Sequence, residues 1–103
     1  MNALIETRQA EIAEFCTRWG VSELAVFGSV LRDDFGAESD LDVLISLGEK
    51  PRHTLFDLHH MQEDLRSIFG RDVDLVSRRG IERSSNDVRR RAILESAQTI
   101  YGS

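Results

Sequence analysis

Apolar residues recur along this chain with two periods, every three to four residues in some segments and every second residue in others. Residues 2–19 have the helical period, and their apolar stripe consists of Leu4, Ile5, Ile12, Phe15, Cys16 and Trp19. Gly20 follows at once, which predicts a left-handed glycine at the helix end. Because Cys16 belongs to the stripe, we expect it to be a small core residue rather than a nucleophile.

Three short segments have the pattern of strands. Residues 24–27 are apolar and end at Gly28, after which residues 29–32 predict a helical turn capped by Ser29. Residues 40–46 follow a polar loop and alternate between two faces, one with Asp40, Asp42 and Leu44, the other with Leu41, Val43 and Ile45. Residues 71–76 repeat this alternation, with Asp72 and Asp74 on one face. The apolar run after Asp42 predicts a strand covered on both faces.

Two further helices are predicted. Residues 53–69 have a buried stripe of Leu55, Leu58, Met61, Leu65, Ile68 and Phe69, and Gly70 follows as a second C-terminal glycine. After a basic linker over residues 78–83, residues 84–101 form the last predicted helix, with Val88, Ala92, Ile93, Ala97, Ile100 and Tyr101 buried. Adjacent histidines on a helix point about 100° apart. We therefore interpret His53, His59 and His60 as ordinary helix residues rather than metal ligands.

This order of elements predicts an α/β (α+β) domain, a small three-stranded mixed sheet with helices packed on it. The 103 residues suffice for one domain, which we place at residues 1–103. The net charge of −5 disfavours a nucleic acid as a direct partner. The single cysteine and the lack of a signal-like or membrane-spanning segment predict a cytoplasmic protein with no membrane partner. The arginines of residues 78–91 form either a solvated face or a docking surface for a phosphate-rich or acidic partner.

The polar residues at the predicted strand ends suggest chemistry. Gly28 allows a ligand to approach the backbone, and Ser29 adds a hydroxyl donor, so together they could cradle a phosphate. Asp40 and Asp42 would lie on one strand face roughly 6.5–7 Å apart, where a cation would relieve their repulsion. Asp74 could join them if its strand is adjacent, giving hard oxygen ligands for Mg²⁺ or Mn²⁺. Alternatively, these aspartates are caps or ion-pair partners of Arg32 or Arg71.

The combined pattern resembles the minimal nucleotidyltransferases of the DNA-polymerase-β-like superfamily. The resemblance is carried by Gly28-Ser29, Arg32, Ser39 and the pair Asp40-Leu41-Asp42, together with Asp74 in Val73-Asp74-Leu75-Val76. It implies the polymerase-β-like palm fold and transfer of a nucleoside monophosphate to a hydroxyl. It also implies that Asp40, Asp42 and Asp74 are catalytic and bind two Mg²⁺ ions. Gly28, Ser29, Arg32 and Ser39 would then contact the nucleotide.

Small members of this family resemble the antitoxin of HEPN/MNT toxin–antitoxin pairs. This resemblance implies ATP as substrate and a HEPN-family toxin, an RNase, as partner, with AMP transferred to one of its tyrosines. Two alternatives stay open. The chain could neutralise a partner by contact alone, through its basic C-terminal helix, or it could modify a small molecule or an RNA end. The short chain leaves no room for a separate substrate domain, which counts against the second alternative.

Overall fold

The computed structural model describes residues 3–31, 36, 39–47 and 55–102. Within them, four strands form one sheet: β1 (Val21–Phe27), β2 (Leu41–Leu47), β3 (Val73–Ser77) and β4 (Gln98–Tyr101). The helices are α1 (Ala3–Glu6), α2 (Gln9–Trp19), α3 (Leu55–Phe69), α4 (Arg78–Glu82) and α5 (Asp87–Ser96), and a 3-10 turn spans Gly28–Leu31. The mixed sheet with helices packed on it confirms the predicted fold class.

The sheet has the order β3-β2-β1-β4. Strand β1 runs antiparallel to both of its neighbours, whereas β2 and β3 are parallel and connected through α3. Parallel strands need such a crossover, since a tight turn cannot return the chain to the same direction. The end of β1 and the starts of β2 and β3 therefore meet at one end of the sheet.

Each face of the sheet has its own apolar cluster. Leu24, Val26, Leu41, Val43 and Ile45 point to the face covered by α1, α2 and α3, where Ile12, Phe15, Met61, Leu65 and Phe69 complete a cluster that is almost entirely buried. On the opposite face, Ala25, Phe27 and Leu44 pack against Ile81 of α4 and Ile93 of α5. Strand β2 is thus covered on both faces, as its apolar run predicts.

The first helical segment is divided in two. Arg8 separates α1 from α2 with a non-helical backbone (φ −116°, ψ 18°), whereas the sequence predicts one helix over residues 2–19. The Arg8 side chain donates to the carbonyl oxygens of Leu4 and Ile68, so this break is stabilised by contact with the end of α3. Gly20 (φ 69°) and Gly70 (φ 66°) adopt the predicted left-handed conformation.

The C-terminal third differs most from the prediction. The basic linker is helix α4, and the predicted helix over residues 84–101 is the shorter α5 followed by β4. Ala97 turns to an extended conformation (φ −61°, ψ 134°), after which Thr99, Ile100 and Tyr101, residue types that favour strands, pair with β1. The sheet therefore has four strands rather than three.

This change of structure also alters which residues of the last segment are buried. Ile93 and Ile100 are buried as predicted, but Val88 is 82% exposed and Ala92 is exposed as well. The prediction of burial for these two residues is wrong because it assumed one continuous helical stripe. No helix in the described ranges is long and apolar enough to cross a membrane.

Candidate active site

Two of the predicted site residues face each other across the parallel strands. Asp42 of β2 is the register partner of Asp74 of β3. Neighbouring strands lie about 4.8 Å apart, and register partners point to the same face, so the two side chains start from adjacent positions on that face. The sequence predicts this arrangement on the condition that the third strand lies beside the second, and the sheet order meets that condition.

Gly28 lies directly against the Asp42 carboxylate. Phe27, the last residue of β1, is the register partner of Asp42, and Gly28 then leaves the strand with φ +74°. A Cβ at position 28 would come to 2.4 Å from Oδ2 of Asp42. Glycine is therefore required here for two reasons, the left-handed backbone and the space that the carboxylate occupies.

Ser29 connects the turn after β1 to the residue that precedes β2. Its hydroxyl donates to the carbonyl oxygen of Asp40 at 3.3 Å. A serine hydroxyl has one proton to donate, so Ser29 could donate to a phosphate only after leaving this bond. Asp40 itself is exposed and lies two residues before Asp42, just before β2 begins.

Ser39 shapes the backbone just before Asp40. Its Oγ accepts from the Gly36 amide at 3.1 Å, and its own amide donates to the Gly36 carbonyl at 3.2 Å. Ser39 therefore orders the approach to Asp40 in this structure, whereas the resemblance assigns it to nucleotide binding. Arg32, the remaining predicted nucleotide-binding residue, lies outside the described residues.

The carboxylates differ in their surroundings. Asp42 is half-buried and takes part in a side-chain interaction, whereas Asp40 and Asp74 are exposed. Among the described residues, neither Asp40 nor Asp74 makes a hydrogen bond or ion pair through its carboxylate. In the same part of the chain, no three His, Cys, Asp or Glu side chains are close enough together to hold a metal ion. The backbones of the three aspartates therefore lie at the same end of the sheet, but their side chains do not converge in this conformation.

Sequence reasoning missed a role for Arg71. Its Nη1 donates to the carbonyl oxygens of Gly36 (2.9 Å) and Ser39 (3.1 Å), across the space between the approach to β2 and the approach to β3. The sequence offered Arg71 only as an ion-pair partner of an aspartate. Carbonyl oxygens carry no sequence signal, so no pattern in the chain could have indicated these two bonds.

The cysteine and the histidines stand apart from this site. Cys16 is buried in the cluster beneath α2, and burial raises the pKa of its thiol to about 12, so it stays protonated and unreactive. His59 and His60 are exposed on α3. These positions agree with the predicted structural roles, while His53 and the side chain of Leu55 lie outside the described residues.

Comparison with known proteins agrees with this geometry. The family model of the nucleotidyltransferase domain matches residues 11–100. The protein adenylyltransferase MntA of Thermococcus cleftensis is 30% identical over 82 residues, which cover 80% of this chain and 78% of that protein. A solved structure described as a minimal nucleotidyltransferase superposes with a TM-score of 0.69 at 32% identity, covering 90% of this chain and 89% of the other.

A more distant likeness shows the fold alone. One chain from the complex of a tri-AMPylated Shewanella oneidensis HEPN toxin with its MNT antitoxin is 18% identical, with a TM-score of 0.66 over 96% of this chain and 73% of the other. The family assignment rests instead on the domain match and the Thermococcus relative. The predicted resemblance is confirmed: the chain belongs to the nucleotidyltransferase domain family and is a transferase of that family.

Proposed function

We propose that the chain is an MNT-type antitoxin that transfers AMP from ATP to a tyrosine hydroxyl of a HEPN-domain RNase toxin. The observation that carries this proposal is the register pairing of Asp42 with Asp74, next to the Cβ-free surface of Gly28. A relative named as a protein adenylyltransferase supports the reaction class. The fold shared with a chain of a HEPN–MNT complex supports the choice of partner.

The residues fit divalent metal ions in donor type and in backbone position. Carboxylate oxygens are hard ligands suited to Mg²⁺ or Mn²⁺. Asp40 and Asp74 are exposed and, within the described chain, have no side-chain partner to lose, so rotation of both toward Asp42 is inexpensive. We therefore assign Asp40, Asp42 and Asp74 as the ligands. Bound metal would neutralise charge on the phosphate oxygens during transfer.

The nucleotide would lie over the turn that begins at Gly28. Without a Cβ, the backbone at Gly28 can be approached closely, and the Ser29 hydroxyl can exchange its bond to Asp40 for one to a phosphate oxygen. Arg32 would add positive charge to the triphosphate side, and Ser39 would keep the entry to β2 in place. The phosphates thereby come beside the three carboxylates.

The proposed reaction is a single displacement at the α-phosphorus of ATP. The tyrosine oxygen forms a bond to this phosphorus, the bond from phosphorus to the bridging oxygen breaks, and pyrophosphate leaves. The phenolic proton passes to Asp74, whose exposed carboxylate is open to an acceptor entering from solvent. The remaining contribution of the chain is to position the two reactants and to stabilise developing charge.

The test uses the chain, Mg²⁺ and the purified product of the adjacent gene, which the proposal expects to be a HEPN protein. With ATP labelled at the α-phosphate we expect label on the HEPN protein, and with ATP labelled at the γ-phosphate we expect none, because pyrophosphate leaves. Asp42→Asn should abolish the transfer. Glu23→Gln is the matched control, since Glu23 lies on the same sheet face but pairs with Arg78 at the opposite end.

Two results would contradict the proposal. If the wild-type chain leaves no α-label on the HEPN protein yet suppresses its toxicity, and Asp40→Asn/Asp42→Asn suppresses it equally, the chain acts by contact alone. If the label instead appears on a small molecule or on an RNA end, the acceptor is wrong while the transferase chemistry stands.

A further inference from the structure

The three carboxylates of the proposed site come from two separate parts of the chain. Asp40 and Asp42 belong to the start of β2, and Asp74 belongs to β3, which follows α3. Within β2 and β3 the ladder of backbone hydrogen bonds fixes Asp42 relative to Asp74, beginning with the Leu41 amide donating to the Asp72 carbonyl at 3.0 Å. Asp40 precedes this ladder. The Ser29 hydroxyl donates to its carbonyl oxygen at 3.3 Å, and the residues just before Asp40 need a further source of order.

Arg71 provides a contact at this place. Its Nη1 donates to the carbonyl oxygens of Gly36 and Ser39, and Ser39 is the residue immediately before Asp40. Arg71 itself is three residues before Asp74. The guanidinium group therefore bridges the two approaches that lead to the carboxylates. Hydrogen bonds from a charged donor are about twice as strong as neutral ones, and the bond to Ser39 is partly buried, which limits competition from water there.

We propose that Arg71 is a positioning residue of the active site, which holds the Gly36 and Ser39 carbonyls and thereby fixes Asp40 relative to Asp42 and Asp74. The inference rests on the proposed function for the metal-binding role of these aspartates. It adds a residue that contacts neither metal nor nucleotide. Second-shell contacts of this kind typically change metal affinity or activity by about 10- to 100-fold when removed.

A variant of a neighbouring arginine can show whether Arg71 acts by positioning the backbone or only through its positive charge. Arg66, near the end of α3, pairs with Glu63 (3.0 Å) and with Asp72 (2.8 Å). These two carboxylates hold the pKa of Arg66 above its ordinary value. Arg66 thus carries the same charge at the same connection between α3 and β3. Its hydrogen bonds go to Glu63 and Asp72 rather than to the approach to β2, so Arg66→Ala is the matched control.

The experiment compares Arg71→Ala, Arg71→Lys and Arg66→Ala in two measurements besides activity. The first is the affinity for Mn²⁺ in the presence of a non-hydrolysable ATP analogue, which is measured from the electron paramagnetic resonance signal of free Mn²⁺. The second is amide hydrogen exchange at Ser39, which donates to Gly36, and at Leu41, which donates to Asp72. Circular dichroism establishes that each variant is folded.

For Arg71→Ala we expect Mn²⁺ binding to weaken about 10- to 100-fold. Exchange at Ser39 should accelerate about tenfold, as expected for the loss of a charge-assisted hydrogen bond. Arg66→Ala should change both quantities less than twofold. The inference would be overturned if Arg71→Ala kept the wild-type Mn²⁺ affinity and the wild-type exchange rate at Ser39. It would also be overturned if Arg66→Ala weakened Mn²⁺ binding as much as Arg71→Ala. If Arg71→Ala does not fold, Arg71→Lys replaces it, because lysine keeps the charge but ends about one bond short. Wild-type values for a folded Arg71→Lys would then overturn it.

The two measurements also separate this inference from the proposed function. If the wild-type chain transfers no AMP and binds no Mn²⁺, the proposed function fails, and accelerated exchange at Ser39 in Arg71→Ala would still support the contact as a positioning device. If the wild-type chain transfers AMP but Arg71→Ala changes neither exchange nor Mn²⁺ binding, the positioning role fails and the proposed function is unaffected.

Discussion

One face of the sheet carries acidic side chains at both of its ends, and the carboxylates at the two ends differ in their hydrogen-bond and ion-pair partners. At the end away from the candidate site, Oε1 of Glu23 accepts from Arg78 Nη2 at 3.4 Å and from Thr99 Oγ1 at 3.1 Å. Arg78 also donates to the hydroxyl of Ser46, the register partner of Glu23. The chain thus supplies this carboxylate with its own cation and hydrogen-bond donors.

At the site end, three aspartates come from neighbouring positions, and two of them have no hydrogen-bond or ion-pair partner among the described residues. Asp42 and Asp74 are register partners, and Asp40 lies two residues before Asp42. Within the described part of the chain, Asp40 and Asp74 have no cation paired with them. Neighbouring carboxylates repel each other, and this repulsion is weakened by water or by a bound cation. The contrast is consistent with a structural role for the Glu23 end and with the metal-binding role proposed above for the Asp42 end.

The strongest test of the difference between the two ends removes one carboxylate from each. Asp74→Asn should lower the rate of AMP transfer about a thousandfold, since metal binding and proton acceptance together contribute several kcal/mol to such reactions. Glu23→Gln should leave the rate within about twofold, because Glu23 lies at the opposite end of the face. Steady-state transfer of α-labelled AMP measures both. Equal losses in the two variants would remove the distinction between the ends.

Adding a methyl group beside Asp42 tests how tightly the site is packed. Gly28→Ala should destabilise the fold by about 1–2 kcal/mol through its positive φ, and its Cβ would also displace the Asp42 carboxylate. Transfer activity should then fall about 10- to 100-fold. Urea denaturation and the transfer assay measure the two effects separately.

Gly70→Ala is the matched control for this change. Gly70 has nearly the same backbone (φ +66°), but a Cβ there would meet no atom within 4 Å. Gly70→Ala should therefore lower the free energy of unfolding about as much as Gly28→Ala does, while its transfer activity stays at the wild-type level. If Gly70→Ala loses as much activity as Gly28→Ala, the effect comes from the backbone and not from Asp42.

Removing the cation at the Glu23 end should affect stability alone. Arg78→Met leaves Glu23 with Thr99 as its remaining partner and should lower the free energy of unfolding by about 1 kcal/mol, the upper range for a partly exposed ion pair. Thermal or urea denaturation measures this loss. Nucleotide transfer should stay at the wild-type rate, and a substantial loss of activity would show that the two ends are coupled.

The smallest expected effect concerns the buried thiol. Because burial raises the pKa of Cys16 to about 12, the native chain at pH 8 should react with a thiol reagent such as Ellman's reagent far more slowly than the urea-unfolded chain. The absorbance of the released thiolate measures both rates. Rapid labelling of the native chain would place Cys16 outside the core.

The sequence predicted the strand positions of Asp42 and Asp74 better than it predicted the C-terminal third. Period-two alternation is a direct consequence of strand geometry, so the shared face of Asp42 and Leu44 followed from the residues alone. The adjacency of Asp74 needed the strand order, which alternation does not specify. Strand β4 was missed because Ile93 and Ile100 also suit a helical stripe, and four residues are too few to establish a period. The contacts of Arg71 go to backbone oxygens, which no residue pattern reports.

The parallel pairing of β2 with β3 has a consequence for how the protein folds. The two strands are separated in sequence by the whole of α3, so Asp42 and Asp74 can meet only when the crossover that contains this helix closes. Because this contact is long-range in sequence, we expect their repulsion to arise late in folding. A divalent cation that binds these carboxylates would stabilise the native state and slow unfolding, while the earlier steps of chain collapse would proceed at the same rate without it.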